Sequence, residues 1–489
     1  MGFPDQVPDE LWLEILQLVP RKSLQNIALT HRTLRRISRG FLFDSLVFAP
    51  FSLGHWPDKS NTRWDYDYSP KCLSDRAYER ELERLEFWSS PGIAPFVRSC
   101  KAIPIETKML TGDRSPTALV EFFFNKLPCF TSLQHLDVYG VHFTQIGLQN
   151  LCHLPALRHL ELTVCHVADS VDLEAYQSRL ETVDCFTLRH LRPTDALPPW
   201  INLLHPERLV EMHLTFCPAY IAHIAHSFPR FPAVKRFSIL LPPDEATSGP
   251  RQTSNIYPLL PNFPNIEKLE VYCFWLAQAY SSVDDVPDAF PLLTEYHGPA
   301  EMLPVIISRP NLQRLWITSY LEPSILQNLQ DMPTHNVVSL AIQFLPIEFS
   351  ALPLIFRTFP AVVEVNFVII YRQFARIRSG KSAPFVKSLG ELPSLPSTLK
   401  HMSIRWMHVY GEPNEDDEPI LDSDKPELFV KLSTLVNRSP GIESMWIESD
   451  GFLYRWRRLK NGEVEEVTMD RDDEEVDLHQ DWKIFWDER

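Results

Sequence analysis

Histidine and cysteine side chains cluster in one short stretch of the chain, where they are candidates for metal ligands. The five residues are Cys152, His153, His159, Cys165 and His166. Their spacing matches no zinc template. Cys165 falls three residues after a strand-like run, where a buried thiol that faces a turn is the simpler interpretation. The sequence therefore predicts no metal and no cofactor.

Two pairs of a carboxylate and an imidazole are spaced for proton transfer. Glu211 and His213 lie two residues apart, as do His159 and Glu161, so in a strand each pair shares one face. Solvent-exposed strand positions explain both pairs equally well. The chain has no G-x-S-x-G, no H-E-x-x-H and no glycine-rich phosphate loop, and nothing identifies a nucleophile. We predict that the protein is not an enzyme; an enzyme whose site these motifs do not reveal is the weaker alternative.

Composition and charge restrict the possible partners. The chain has 489 residues, 44% of them hydrophobic, and a formal net charge of −16, which describes a globular acidic protein. Such a chain binds poorly to phosphate backbones and to anionic lipid, so we predict neither nucleic acid nor membrane as a partner. The most apolar run, residues 362–370, is too short to span a bilayer. No signal peptide is expected in residues 1–10.

Cysteine usage indicates a reducing compartment. The eight cysteines are scattered and form no C-x-x-C pair. This pattern is typical of reduced, mostly buried thiols, and predicts a cytoplasmic or nuclear protein.

A short apolar pattern recurs through the middle of the chain. It places apolar residues at positions 1, 4 and 6, and successive copies start between 19 and 43 residues apart. The copies are Leu133-Leu136-Val138, Leu157-Leu160-Leu162, Leu180-Val183-Cys185, Leu209-Met212-Leu214, Val234-Phe237-Ile239, Ile266-Leu269-Val271, Leu293-Tyr296 (broken by Gly298), Leu312-Leu315-Ile317, Val337-Leu340-Ile342, Val362-Val365-Phe367, Leu399-Met402-Ile404 and Ile442-Met445-Ile447, with Val97-Cys100-Ala102 as a weak first member.

This pattern predicts an α/β architecture built from leucine-rich repeats. Positions 4 and 6 alternate, so a strand turns both to one face. A proline often stands two residues before position 1, where it needs no ladder donor. Apolar residues at helical spacing lie between strands, as in Val120, Phe123, Phe124 and Leu127. The expected fold is an irregular solenoid over residues 96–450, with a parallel strand on its inner curve. Unrelated strands in an α/β domain are the alternative.

Polar residues between the apolar strand positions point away from the core, onto the inner curve. Tyrosine, tryptophan and arginine on a rigid sheet are the residue types that dominate protein interfaces. The candidates for binding a protein target are Tyr139, His159, His213, Tyr272, Arg314, Trp316, Arg405 and Trp446. Ordinary solvated surface is the alternative for each one taken singly.

The first fifty residues carry the most specific pattern in the chain. In VPDELWLEILQLVP, apolar residues recur at helical spacing, and Pro8 suits a first helical turn. Ser23 is placed to cap a second helix, and Leu34 and Ile37 indicate a third. Three helices this short cannot cover all their apolar side chains, so the rest of the chain or a partner must do so.

This segment resembles an F-box domain. The resemblance implies that residues 1–50 dock the Skp adaptor of a ubiquitin ligase and, through it, a cullin. The residues implied to contact the adaptor are Val7, Pro8, Leu11, Ile15, Leu16, Leu24, Ile27 and Leu29. The complete order of F-box, linker helix and irregular repeats is similar to F-box proteins abundant in mushroom-forming fungi.

The remaining segments are connections and ends. Residues 51–95 are predicted to be a linker with one helix, capped by Ser74, that packs the F-box onto the first repeats. Asn461-Gly462 predicts a hairpin that caps the last repeat within residues 451–489, ahead of an acidic tail. Long polar insertions are expected after Leu241 and Ile370, and an acidic one after Gly411.

Together these patterns predict a substrate-recognition subunit of a Skp–cullin–F-box ubiquitin ligase, whose repeats hold an unknown protein target. The alternative is a leucine-rich-repeat interaction scaffold without a role in ubiquitination. The surface of a solenoid does not encode the identity of its target.

Overall fold

The structure is a computed structural model of the chain. It describes residues 7–53, 70–104, 115–168, 170–189, 200–215, 228–241, 256–273, 290–319, 321, 323–330, 332–344, 351–372, 388–390, 392, 395–409, 430, 434–449, 452–459 and 462–470. The three predicted insertions fall almost wholly outside these residues, as does the acidic tail. The chain divides into two compact units, Met1–Asn265 (unit 1) and Ile266–Arg489 (unit 2).

Unit 1 begins with helices and continues as strands separated by helical segments. Its helices are α1 (Asp9–Gln17), α2 (Arg21–Thr30), α3 (Arg32–Leu42), α4 (Asp75–Trp88), α5 (Thr117–Lys126), α6 (Gln145–Cys152) and α7 (Trp200–Leu203), with 3-10 turns at Ala94–Phe96, Leu127–Cys129, Glu174–Tyr176 and Tyr257–Asn262. Its strands are β1 (Ser45–Phe48), β2 (Ser52–Leu53), β3 (Pro70–Lys71), β4 (Ser99–Ala102), β5 (His135–Tyr139), β6 (His142–Phe143), β7 (His159–Thr163), β8 (His166–Val167), β9 (Cys185–Arg189), β10 (Glu211–Thr215) and β11 (Arg236–Leu241).

The first three helices share a small apolar core. Leu16, Leu24 and Ile37, one from each helix, are buried together, and Trp12 and other partly buried side chains pack around them. The three predicted helices are present, but the predicted cap of the second is wrong. That helix begins after Pro20, and no side chain caps it. The reason is that Ser23 already lies inside the first turn, where its backbone N–H donates to the carbonyl oxygen of Pro20 at 2.8 Å.

Helix α4 joins these helices to the sheet. Ser74 Oγ accepts a hydrogen bond from Ala77 N at 3.4 Å, as predicted for its cap. The buried carboxylate of Glu81 accepts from the backbone N–H of Ala49, also at 3.4 Å, just after β1. At the other end of the helix, Trp88 packs edge-on against Phe43, with ring centroids 5.6 Å apart. Helix α4 therefore contacts the chain just after α3 and again just after β1.

The main sheet of unit 1 is parallel. Its strands pair in the order β1, β4, β5, β7, β9, β10 and β11, so each strand lies next to the one that precedes it in this series. Positions 4 and 6 of the apolar pattern are buried in each strand, as Leu136 and Val138 show in β5. β1 is an additional member of this sheet that the pattern did not predict. Separate two-stranded pairs are formed by β2 with β3 and by β6 with β8.

The structure corrects the register of one predicted copy. Leu180-Val183-Cys185 was expected to supply the buried positions, but β9 buries Phe186 and Leu188 instead. The correct copy starts at Val183, and Cys185 lies on the opposite face. Leu180 is also apolar and three residues upstream, so the pattern alone fits either start. Only pairing with β7 and β10 distinguishes the two, since a shift by an odd number of residues reverses both faces.

Unit 2 also consists mainly of parallel strands, some of them separated by short helices. Its strands are β12 (Lys268–Cys273), β13 (Glu295–Gly298), β14 (Arg314–Ile317), β15 (Ser339–Phe344), β16 (Glu364–Arg372), β17 (His401–Val409), β18 (Ser444–Ser449), β19 (Phe452–Arg458) and β20 (Val464–Asp470). Helices lie at Leu303–Ile306, Pro323–Leu329 and Leu352–Thr358, with a 3-10 turn at Ala300–Met302. β12 to β18 pair in parallel, and β19 and β20 follow as an antiparallel hairpin.

Gly298 interrupts the apolar pattern for a steric reason. The ring of buried Tyr296 occupies the space at this position, and its hydroxyl donates to the carbonyl oxygen of Pro299 at 2.9 Å. A Cβ on Gly298 would lie 2.4 Å from that hydroxyl oxygen. Only glycine fits at position 298, because the Tyr296 ring fills the space that a side chain there would need.

The prolines before the strands take part in a repeated side-chain hydrogen bond. Asn311 Nδ2 donates to the carbonyl oxygen of Pro291, and Asn336 Nδ2 to that of Pro310, both at 2.9 Å. In each case the asparagine precedes position 1 of its own strand, and the proline belongs to the previous strand. This asparagine, one residue before position 1, links successive copies of the pattern at the start of their strands.

Replacement of Asn336 by alanine is expected to lower the free energy of unfolding by about 1 kcal/mol, because one hydrogen bond of this kind contributes about 0.5–1.5 kcal/mol. Urea unfolding followed by circular dichroism measures the change. Asn336→Asp is the matched variant: it keeps the shape but removes the donor, and should lose at least as much. Wild-type stability in both variants would contradict the structural role of this bond.

Candidate protein-binding surfaces

Helix α1 presents an apolar stripe to solvent. Leu11, Ile15 and Leu18 lie at i, i+4 and i+7, so they share one side of the helix, and they are 49%, 47% and 86% exposed. The neighbouring side of the same helix carries Trp12 and Leu16, which pack into the core. The predicted uncovered apolar surface is therefore present on this helix.

The structure separates the residues predicted to contact the adaptor into two groups. Pro8, Leu11, Ile15 and Leu29 are exposed, and Val7 and Ile27 are partly exposed. Leu16 and Leu24 are only 1% and 4% exposed, so their side chains stabilise the helices from within. Direct contact of these two with a partner is not available in this structure.

Two further exposed leucines were missed by the sequence analysis. Leu18 extends the stripe of α1 by one turn, and Leu13 lies 42% exposed on another side of this helix. The signal available in the sequence was the helical spacing of Leu11, Ile15 and Leu18. One apolar stripe of α1 faces the core and the adjacent stripe faces solvent.

The polar face of unit 1 is formed by strand residues that alternate with the buried ones. Tyr139, His159 and His213 lie on it, all partly exposed. Ion pairs cross between neighbouring strands: Arg189 lies 3.0 Å from Glu161, and other pairs join Lys101 to Asp137 and Arg236 to Glu211. This face is therefore covered by ion pairs between neighbouring strands and is not an apolar groove.

Burial shifts the titration of several groups on this face. The His159 imidazole has a lowered pKa, mainly because burial disfavours its charged form, and the neighbouring His135 adds to the effect. The rings of these two histidines lie 5.8 Å apart. The pKa of Asp137 is raised, first by burial and then by the carboxylate of Glu161. Both shifts arise first from burial and then from a like group in an adjacent strand.

The histidine and cysteine residues first considered as metal ligands do not come together. Cys165 is fully buried, and its Sγ lies 3.2 Å from the carbonyl oxygen of Val138, which it contacts as a thiol donor. Burial raises the pKa of this thiol to about 12. Among the described residues, the group whose ligand atoms do converge is a different one, Cys185, Glu211 and His213.

The polar face of unit 2 carries an aromatic cluster. The rings of His297 and Trp316 are stacked, 4.2 Å apart and 5° from parallel, and Tyr272 packs edge-on against His297 at 4.8 Å. Trp316 is the exposed member of the cluster, at 36%. Arg314 lies two residues from Trp316 on the same face, 3.8 Å from Glu295.

The remaining predicted target-binding residues lie further along this face. Arg405 Nε lies 3.2 Å from the buried carboxylate of Glu448. Trp446, partly exposed, has the guanidinium of Arg455 6.0 Å from its ring centre. The structure thus brings Tyr272, Trp316 and Arg314 close to one another, whereas Arg405 and Trp446 lie on strands β17 and β18.

His297 should make the stability of unit 2 depend on pH. Burial lowers its pKa to about 4, so the folded chain stays neutral at this site while the unfolded chain takes up a proton near the ordinary pKa. The free energy of unfolding should therefore fall as pH drops below about 6.5, by roughly 1.4 kcal/mol per unit until about pH 4. Urea titrations at pH 7 and pH 5 measure this slope.

The matched variant for that measurement is His297→Asn, which should remove about 2 kcal/mol of the loss between pH 7 and pH 5. His153→Asn, at an exposed position, controls for the removal of one histidine. An unchanged slope in His297→Asn would show that other groups cause the acid sensitivity.

Comparison with known families agrees with the geometry of the N-terminal helices. The family model of the F-box domain matches residues 5–46, which contain α1, α2 and α3. The N-terminal part of the chain is therefore an F-box domain. No curated protein matches the chain by sequence. No helix among the described residues is both long and apolar enough to cross a membrane.

Proposed function

We propose that this protein is a substrate-recognition subunit of a Skp–cullin–F-box ubiquitin ligase. The observation that carries the proposal is the F-box domain at residues 5–46 with an uncovered apolar stripe on its first helix. In this proposal the stripe of Leu11, Ile15 and Leu18 docks the Skp adaptor, and the adaptor links the chain to a cullin. The setting would be the cytoplasm or the nucleus.

The energetics of the stripe favour a partner. Fully burying a leucine or isoleucine side chain contributes about 1.5–3 kcal/mol, and three side chains in one row that are about half-exposed or more leave much of that unrealised. A partner that covers this row removes the apolar side chains from water, and a charge introduced there would be buried without a partner. The buried pair Leu16 and Leu24 would act indirectly, by holding α1 and α2 in place.

The two polar sheet faces are the proposed surface for a protein target. Consecutive parallel strands with buried positions 4 and 6 support the interpretation of these strands as leucine-rich repeats. Within each unit, the polar side chains of successive strands then lie side by side on one face of the sheet. Tyr272 and Trp316 of the aromatic cluster, together with Arg314 two residues from Trp316, are of the residue types that dominate interfaces.

The proposed mechanism is proximity rather than catalysis by this chain. A receptor that holds the adaptor at one end and a target at another raises the effective concentration of that target near the transfer site. The transfer of ubiquitin would belong to other subunits.

The test is quantitative proteomics in cells that express the full chain. Wild type should co-purify the Skp adaptor and a cullin, and Leu11→Asp/Leu18→Asp should lose both while still capturing clients, which accumulate because they are not ubiquitinated. Ile146→Asp is the matched control, since Ile146 is 54% exposed on α6, away from the F-box domain. Equal recovery of adaptor and cullin by all three chains would contradict the proposal. Clients that do not accumulate would favour an interaction scaffold.

A further inference from the structure

Three side chains of different chemistry meet on the polar face of unit 1. Cys185 begins β9 and pairs in register with Glu211, which begins β10, and His213 lies two residues along the same strand. The Cys185 thiol, one Glu211 carboxylate oxygen and one His213 ring nitrogen all lie within 4.8 Å of one another. All three residues are partly exposed, so an ion can reach them from solvent.

We propose that Cys185, Glu211 and His213 bind a divalent transition-metal ion of the Zn²⁺ class. Thiolate sulfur, imidazole nitrogen and carboxylate oxygen are the ligands that zinc takes in proteins. Zinc lies about 2.3 Å from sulfur and about 2.0–2.2 Å from nitrogen or oxygen, so in a tetrahedral site two ligands of one ion lie about 3.4–3.6 Å apart. The three ligand atoms lie within 4.8 Å of one another, so they must draw together by about 1 Å to bind one ion.

The hydrogen bonds around the group are compatible with an ion. His213 Nε2 lies 2.8 Å from Glu211 Oε1, and the ion would take the place of this hydrogen bond between the same two atoms. The other carboxylate oxygen, Oε2, accepts from Arg236 at 3.2 Å, which orients the ligand from outside the site. The thiol of Cys185 releases its proton to solvent when sulfur binds the metal.

Three protein ligands leave a fourth tetrahedral position. In proteins such a position holds water or an exchangeable ligand. His159 pairs in register with Cys185 on the other side of β9 and is a further nitrogen donor on the same face. Because the site faces solvent on the polar face, a bound protein could also supply this ligand. The metal site itself does not depend on the proposed ligase role.

Titration of the metal-free full-length chain tests the proposal. Zn²⁺ binding is measured by calorimetry, and Co²⁺ binding by absorption, in which a sulfur-to-cobalt charge-transfer band reports the thiolate. Wild type should bind one equivalent with this band. Cys185→Ser should abolish the band, and Cys185→Ser and His213→Ala should each weaken binding by at least about tenfold, since even outer-shell partners contribute about 10- to 100-fold.

Matched controls distinguish metal binding at this site from nonspecific metal binding by exposed thiols. Cys129 is an exposed cysteine elsewhere in unit 1, and Cys129→Ser should bind as wild type does. Circular dichroism and urea unfolding of each metal-free variant establish that it folds, and Glu211→Gln provides a third variant that keeps side-chain size. The proposal is overturned if wild type binds no stoichiometric ion, or if folded Cys185→Ser and His213→Ala bind as tightly as Cys129→Ser. Adaptor capture is measured separately and is unaffected by either outcome.

Discussion

Ile15→Asp is expected to weaken binding of the Skp adaptor by more than about 30-fold, which corresponds to about 2 kcal/mol. Ile15 lies in the middle of the exposed stripe, 47% exposed, between Leu11 and Leu18. In the proposed complex the substitution removes apolar contact and places a carboxylate where it would lose its water. Because Ile15 is exposed in the free chain, the variant should fold normally.

Binding of the purified adaptor to the full chain, measured by calorimetry or biolayer interferometry, gives this number. Ile146→Asp makes the same chemical change at a residue of similar exposure on α6 and should bind as wild type does. Equal affinity of the wild-type, Ile15→Asp and Ile146→Asp chains would show that α1 does not contact the adaptor, which contradicts the proposed docking.

The neighbouring residue should behave differently. Leu16→Ala creates a cavity in the core of the three helices and is expected to destabilise them by about 2–5 kcal/mol. Its effect on adaptor binding should then follow the fraction of folded F-box domain, and should diminish under conditions that restore the fold. The two adjacent residues thus separate a surface effect from a folding effect.

Trp200→Ala is expected to lower the free energy of unfolding of unit 1 by about 3–5 kcal/mol. Trp200 is fully buried, and it packs edge-on against Phe143 with ring centroids 4.8 Å apart. Its Nε1 donates to the carbonyl oxygen of Cys165 at 3.3 Å. Removing the indole leaves both a large cavity and an unpaired buried acceptor, which explains why the expected loss is large.

Trp200→Phe is the matched variant for this prediction. It keeps most of the packing and loses the hydrogen bond, so it should cost about 1–2 kcal/mol. Urea unfolding followed by circular dichroism compares the two. A loss below about 1 kcal/mol for Trp200→Ala would mean that the segment from α7 to β10 contributes little to the core.

Some features of the recurring apolar pattern could be predicted because they are local. Positions 4 and 6 of the pattern are two residues apart in one strand, so both side chains lie on the same face of the sheet. The buried residues Leu136, Leu160 and Met212, all at position 4, follow that rule. The start of β9 could not be predicted, since Leu180 and Val183 fit position 1 equally well. Hydrogen bonding of β9 to β7 and β10 selected one of them.

The sequence also could not show which side chains would meet across strands. Cys185, Glu211 and His213 come from two copies, and their separation along the chain matches no metal-binding motif. They converge because β9 and β10 pair in parallel with Cys185 opposite Glu211. The corrected register of β9 is what places the thiol on the polar face at all.

The sequence by itself determined the element types, the F-box pattern and the alternation of buried and polar strand positions, because these depend on residues within one turn or one strand. Tertiary structure decided which of two adjacent residues, Ile15 or Leu16, is exposed, and which polar side chains are neighbours. Such outcomes depend on how separate elements pack, and packing energy is shared among residues that lie far apart in the chain.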